Sequence, residues 1–174
     1  MRLLTGASAV LVCMTLGLAR AADGTWTNTV GGAWSDSANW SGGVVAGGFG
    51  ATARFNVVPG VTVTADTPVA VGKLQFDSAS GNNWSLRGGP VTLEAAVPTV
   101  QVNSDTVSLY APLASTNGLR KLNNGTVRFY GRNAIDGEVR IDTGTLDARG
   151  DLLTEPASGP LTQIFSTGTP RSAL

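Results

Sequence analysis

The chain has 174 residues with twelve basic and twelve acidic side chains, no histidine and a single cysteine, Cys13. No imidazole and one lone thiol exclude an intramolecular disulfide, Ser–His and Cys–His nucleophile pairs and the common zinc sites. A net charge of zero without a basic stripe argues against nucleic acid or an anionic membrane surface as partner.

The first residues form a grammar of their own. Arg2 supplies a short positive region, Leu3 to Leu18 an apolar run, and Ala19-Arg20-Ala21 a small-x-small site. Residues 1–21 therefore read as a secretory signal peptide, cleaved after Ala21 or Ala22. Thr5, Gly6, Ser8, Thr15 and Gly17 interrupt the run, and no later stretch reaches the roughly 20 apolar residues of a membrane span. Cleavage removes Arg2, Arg20 and Cys13, leaving ten basic against twelve acidic residues. The secreted chain is then near neutral and long enough for one domain with its own core.

Residues 22–56 have a different texture, rich in Gly, Ser, Thr and Asn, with Trp26, Trp34 and Trp40. Their spacing is neither helical nor cleanly alternating, so short strands at Thr25 to Thr27 and Ala51 to Phe55, joined by glycine turns, are expected. The three tryptophans suit two roles. They can cover the open first rung of a stacked fold, or serve as a stacking platform for sugar rings.

From 57 to 116 apolar residues alternate with polar ones in strand after strand: Val61, Val63 and Ala65; Val69 and Val71; Leu74 and Phe76; Val91, Leu93 and Ala95; Val100 and Val102; Val107 and Leu109. Turn signals recur about every ten residues, for example Pro59-Gly60, Gly88-Gly89-Pro90 and Val97-Pro98, which predicts an all-β domain with little helix. A parallel β-solenoid and a β-sandwich both fit. Small or β-branched inward residues, few aromatics inside and turns rich in Asn, Thr and Gly favour coils of roughly 20 to 25 residues over a sandwich.

The most legible stretch is 117–149. Val127 and Phe129, Val139 and Ile141, and Leu146 and Ala148 alternate with polar neighbours, between turns at Asn124-Gly125, Gly131 with Asn133, Asp136-Gly137 and Thr143-Gly144. Residues 118 to 146 resemble the autotransporter-associated β-strand repeat, or passenger-associated transport repeat. Gly118, Leu119, Lys121, Gly125, Thr126, Val127, Phe129, Gly131, Asn133, Gly137, Ile141, Gly144 and Leu146 match its pattern without a gap. Asn123 stands where that family has Gly, and Ile135 where it favours an aromatic. Asn tolerates the left-handed region and Ile is still apolar, so the physical reading survives both departures. The resemblance implies a right-handed parallel β-helix in a secreted or surface-displayed bacterial protein. The Trp-rich block also resembles the segment that precedes such repeats.

Candidate chemistry is sparse. Glu94, Asp105, Glu138, Asp142 and Asp147 read as outward carboxylates, the material of a β-helix polysaccharide-active enzyme. Glu138, Arg140 and Asp142 alternate in sign along one strand face, however, as a solvated ion-pair ladder does. No calcium loop is present, and no metal or cofactor is expected. Arg149-Gly150-Asp151 spells an integrin-type tripeptide at a turn where Gly and Asp are common anyway. The sequons at Asn39, Asn83 and Asn124 carry little weight in a bacterial chain.

Residues 150–174 hold one further strand, Leu161 to Ser166, and read as an incomplete rung or tail. A membrane barrel does not fit in that length, so a fragment of a longer protein is expected, with an edge open to self-association. The expected function is a structural, surface-displayed passenger module without catalysis. A glycan-binding or adhesin module using the tryptophans is the first alternative, and the polysaccharide-active enzyme the second.

Overall fold

A computed structural model describes residues 21–77, 82–153 and two strand pieces at 165–166 and 171–172. The predicted leader, except Ala21, and most of the predicted terminal segment lie outside the described residues. The chain opens with β1 (Gly24–Trp26) and β2 (Gly32–Ala33), then two short 3-10 turns at Ser37–Asn39 and Ser41–Gly43. The next coil holds β3 (Gly48–Phe55) and β4 (Thr62–Ala65), and the one after it β5 (Val69–Phe76) and β6 (Trp84–Gly88). From there each coil carries three strands: β7 (Val91–Leu93), β8 (Thr99–Val102) and β9 (Thr106–Leu109), then β10 (Leu113–Ser115), β11 (Leu119–Leu122) and β12 (Thr126–Phe129). β13 (Asn133–Ile135), β14 (Val139–Ile141) and β15 (Thr145–Ala148) follow, then β16 (Leu152–Leu153), β17 (Phe165–Ser166) and β18 (Arg171–Ser172).

Each strand pairs with the one a coil away, and every pairing between named strands is parallel. The predicted β-solenoid is thus what forms. A sandwich of hairpin-linked strands would pair them antiparallel. Val69 sits beside Val91 and Val91 beside Leu113, a repeat of 22 residues. Ala114 beside Ala134 and Asn133 beside Leu152 shorten it to 20 and 19. The coil has three faces. Face A stacks the start of β5 with β7, β10, β13 and β16; face B stacks β1, the ends of β3 and β5, β8, β11, β14 and β17; face C stacks β2, β4, β6, β9, β12, β15 and β18.

Two strands read separately at Val69–Val71 and Leu74–Phe76 are one. β5 runs through the corner between faces A and B, and Gly72 makes that possible. A Cβ on Gly72 would stand 2.5 Å from the Gly50 Cα of the coil above, so only a residue without a side chain lets two coils turn this tightly. The strands β2, β6, β10, β11, β13 and β16 were not predicted. Asn133, expected to serve a turn, lies inside β13.

Inward residues stack in columns. Ala53, Leu74, Val100, Lys121 and Ile141 form one on face B, and Trp26, Phe55, Phe76 and Val102 another. The expectation of few interior aromatics is corrected here: Trp26, Trp34, Trp40, Phe55, Phe76 and Trp84 are all buried. Aromatics fill the interior of the first coils and aliphatics most of the rest, with Phe129 the exception. A first coil with only two short strands leaves space that small side chains would not fill, and indole rings do.

Candidate interaction surfaces

The tryptophan-rich block forms the first coil and is held by backbone bonds within itself and to the next coil. Thr27 N–H donates to Asn39 O and Trp34 N–H to Thr64 O. Asn39, buried, donates from Nδ2 to Ala33 O (2.8 Å) and accepts from Asn28 Nδ2 (2.6 Å). Ser35 ties this coil to the next through Asp66, donating from N and from Oγ, and these bonds hold the Asp66 carboxyl below its ordinary range.

Trp26, Trp34 and Trp40 are 0, 2 and 3% exposed. Each indole N–H is used internally, on Asn28 O (2.7 Å), Ala46 O (3.0 Å) and Trp34 O (2.7 Å) respectively. Their rings meet edge to face, with centroids 5.2 Å apart for Trp26 and Trp40 and 5.1 Å for Trp34 and Trp40. The stacking-platform expectation is therefore corrected: no ring face is open for a pyranose to lie on, because the faces are occupied by one another and by Phe55.

Eleven of the thirteen residues of the 118–146 pattern fall into three physical groups. Gly118, Gly137 and Gly144 take φ of 72°, 107° and 78°, and Asn123 takes 64°, each at a turn. Gly125 and Gly131 lie against the coil above, where a Cβ would come within 2.4 Å of Val102 Cγ1 and 2.8 Å of Tyr110 O. Leu119, Val127, Phe129, Ile141 and Leu146 point into the core, and Thr126 stacks with Thr106 and Thr145 in register along face C.

The two remaining members, Lys121 and Asn133, are fully buried polar side chains. Lys121 Nζ donates to Leu122 O (2.8 Å), Asn123 O (2.5 Å) and Thr143 O (3.3 Å), clamping two successive corner turns. Asn133 Nδ2 donates to Gly131 O (2.7 Å), and its Oδ1 accepts from Leu113 N–H (3.1 Å). Replacing Asn133 with the similarly sized leucine leaves that N–H and that carbonyl unpaired, and is expected to lower stability by about 2 kcal/mol in urea unfolding. An unchanged midpoint would show that the amide is dispensable.

Of the five carboxylates read as candidate acids, Glu94 and Glu138 are exposed, and the three aspartates are committed elsewhere. Asp105 is buried, not outward, and accepts from Asn82 N–H (3.2 Å). Asp142 takes Arg120 Nε (2.7 Å) and Arg140 Nε (2.7 Å), and the bonds from Arg120 and then Arg140 hold it below the ordinary carboxylate range. Asp147 lies between Arg149 (2.8 Å) and Arg128 (3.5 Å). Arg120–Asp142 and Arg128–Asp147 are cross-coil pairs of the kind expected of the ladder, while Arg140–Asp142 and Arg149–Asp147 join positions two apart on one coil. Among the described residues no cluster of three metal-ligating side chains occurs, and no helix is long and apolar enough to cross a membrane.

Two depressions mark the wall. One of about 310 Å³ at the corner of faces A and B is lined by Val97, Pro98, Asn117, Arg120, Glu138 and Arg140. The other, about 650 Å³, lies beside the exposed Phe49 against Val45, Pro68, Val69 and Ala70. A third feature had no sequence forewarning. Tyr110 and Tyr130 stack at 4.5 Å and 10°, with Arg87 over the outer Tyr110 ring at 3.8 Å and Arg149 near Tyr130 at 5.8 Å.

The chain is similar to an autotransporter adhesin. It is 32% identical over 152 residues to the adhesin BmaC autotransporter of Brucella suis biovar 1 (strain 1330). The match takes in 86% of this chain and 4% of the adhesin, so the chain spans a small fraction of that relative's length. No protein-family model and no solved structure matches the chain. The repeat read into 118–146 accordingly rests on the resemblance and on the geometry just described.

Proposed function

We propose that the chain is a secreted or surface-displayed passenger-type β-solenoid module without catalysis, a segment of a longer protein in which 118–146 is an autotransporter-associated β-strand repeat. The observation that carries this reading is the alignment of most of the chain with a short stretch of a much longer autotransporter adhesin, joined to a fold in which each coil templates the next. Asp142 and Asp147, the best acids for an enzyme, each serve two arginines, which supports a structural wall. The Trp-rich block acts as the amino-terminal cover of the rod. Partners on this reading are glycans or other surface molecules met along the wall, or further coils.

The test is export in a Gram-negative host from the chain's own leader, followed by mass spectrometry of the amino terminus and trypsin treatment of intact cells and extracts. A product beginning at Ala22 or Asp23, outside the cytoplasm and trypsin-resistant, is the expected result. An unprocessed cytoplasmic product would overturn the secreted reading.

A further inference from the structure

We propose that the column Arg87, Tyr110, Tyr130 and Arg149 on the edge of face C is a binding stripe for a linear, anionic polysaccharide lying along the solenoid axis. Arg87 lies in β6, and Tyr110, Tyr130 and Arg149 directly follow β9, β12 and β15, so the four sit on successive coils one position beyond pairs such as Leu86 with Leu109 and Phe129 with Ala148. Coils repeat about every 4.8 Å, so the guanidinium groups at its two ends stand roughly three coils, or about 14 Å, apart. That spacing admits a few sugar residues between two charge contacts.

The chemistry of the column selects the partner. The two phenol rings stack on each other and lie under guanidinium groups at both ends. Their faces are occupied, and what they present outward is edges and hydroxyls. A nucleic acid needs open ring faces for its bases, whereas a sugar chain is a run of hydroxyls that phenols and the nearby Ser108 can bond. Charge then demands an anion. Among the described residues Arg87 has no carboxylate within ion-pair distance, Arg87 and Arg149 are exposed, and Arg128 and Arg149 share the one carboxylate of Asp147. Three guanidinium groups against one carboxylate leave an excess of positive charge on this part of the wall.

The proposal deepens the surface-module reading and rests on it for biological sense, but its test does not require export. The purified protein is titrated with heparin as a sulfated chain, polygalacturonate as a carboxylated one, dextran as a neutral one and single-stranded DNA as a polyanion whose sugars carry no free hydroxyls along the chain. Expected are binding to at least one anionic glycan, at least tenfold weakening from 50 to 200 mM salt, and no binding to dextran. Arg87→Ala is expected to lower affinity about tenfold with an unchanged urea midpoint. Arg87→Lys, which keeps the charge, should retain most of it, and Tyr110→Phe, which keeps the stack and removes the hydroxyl, should lose about threefold. Absence of binding to both anionic glycans, equal binding of DNA, or indifference to Arg87→Ala would each overturn the proposal. If Arg87→Ala fails to fold, Tyr110→Phe and Arg87→Lys decide. Failure here with correct export leaves the module reading standing; the reverse result would separate them in the other direction.

Discussion

Phe55→Ala is expected to lower the unfolding free energy by about 4 kcal/mol, near the upper end for a core aromatic. Phe55 is fully buried and is the ring at which the cover joins the coils below. It meets Trp34 at 5.7 Å and Trp40 at 6.0 Å above, and Phe76 at 4.7 Å and Trp84 at 5.4 Å in the next coil. Removing it opens a void between stiff indoles that cannot collapse into it, and the cost of such a site rises with the volume left empty. Because a solenoid holds together mainly through neighbouring coils, the damage should also uncouple the cover from the rest. All four tryptophans, at 26, 34, 40 and 84, lie in the upper coils. Tryptophan fluorescence therefore reports that end, while far-UV circular dichroism reports every strand. In urea the two transitions should coincide for the native chain and separate in the variant, fluorescence moving first. A loss under about 1 kcal/mol with coincident transitions would show that Phe55 is not the joint.

The alternation of apolar residues was enough to place most strands of faces B and C, because a period of two is written directly into residues such as Val61, Val63 and Ala65. Face A was harder. Leu113 to Ser115 and Asn133 to Ile135 are three-residue strands holding Ala, Ser and Asn, and their burial comes from the coils stacked on either side rather than from their own composition. Gly72 hid a corner, since a strand that changes face without a loop breaks the alternation that would announce it. The same ambiguity left the tryptophans with two roles. Large rings among glycines suit an open surface and a loosely wound first coil equally well, and only the fold decides. Asp105 was read as outward because its neighbours are polar, yet it closes a turn against Asn82. The column from Arg87 to Arg149 escaped notice for a different reason. Its members are 23, 20 and 19 residues apart, and they meet only once the register of the coils is known. Lys121 could have been found: it shares the parity of Leu119 in β11, so strict alternation points it inward.

That inward lysine should make the stability of the chain depend on alkaline pH. Burial, by removing the ammonium from water, lowers the Lys121 pKa to about 8, against roughly 10.4 for a lysine in an unfolded chain. The three carbonyls it reaches offset part of the cost of placing a charge in the column of Val100 and Ile141. Below pH 8 both states carry the proton, and the burial cost is felt in full with no pH slope. Between pH 8 and about 10.4 the unfolded chain binds a proton that the folded chain has released, so stability rises with pH, by about 1.4 kcal/mol per unit at most and about 3 kcal/mol in all. Lys121→Met keeps the length of the side chain and removes the titration. The difference in unfolding free energy, native minus variant, should therefore grow by about 3 kcal/mol from pH 7.5 to 10.5, measured by urea unfolding at each pH. Lys73, whose pKa burial also lowers, is present in both proteins and cancels in the difference. A difference that stays flat across that window would mean that the ammonium is solvated at its turn, and that the clamp on Leu122, Asn123 and Thr143 is made at the surface rather than in the core.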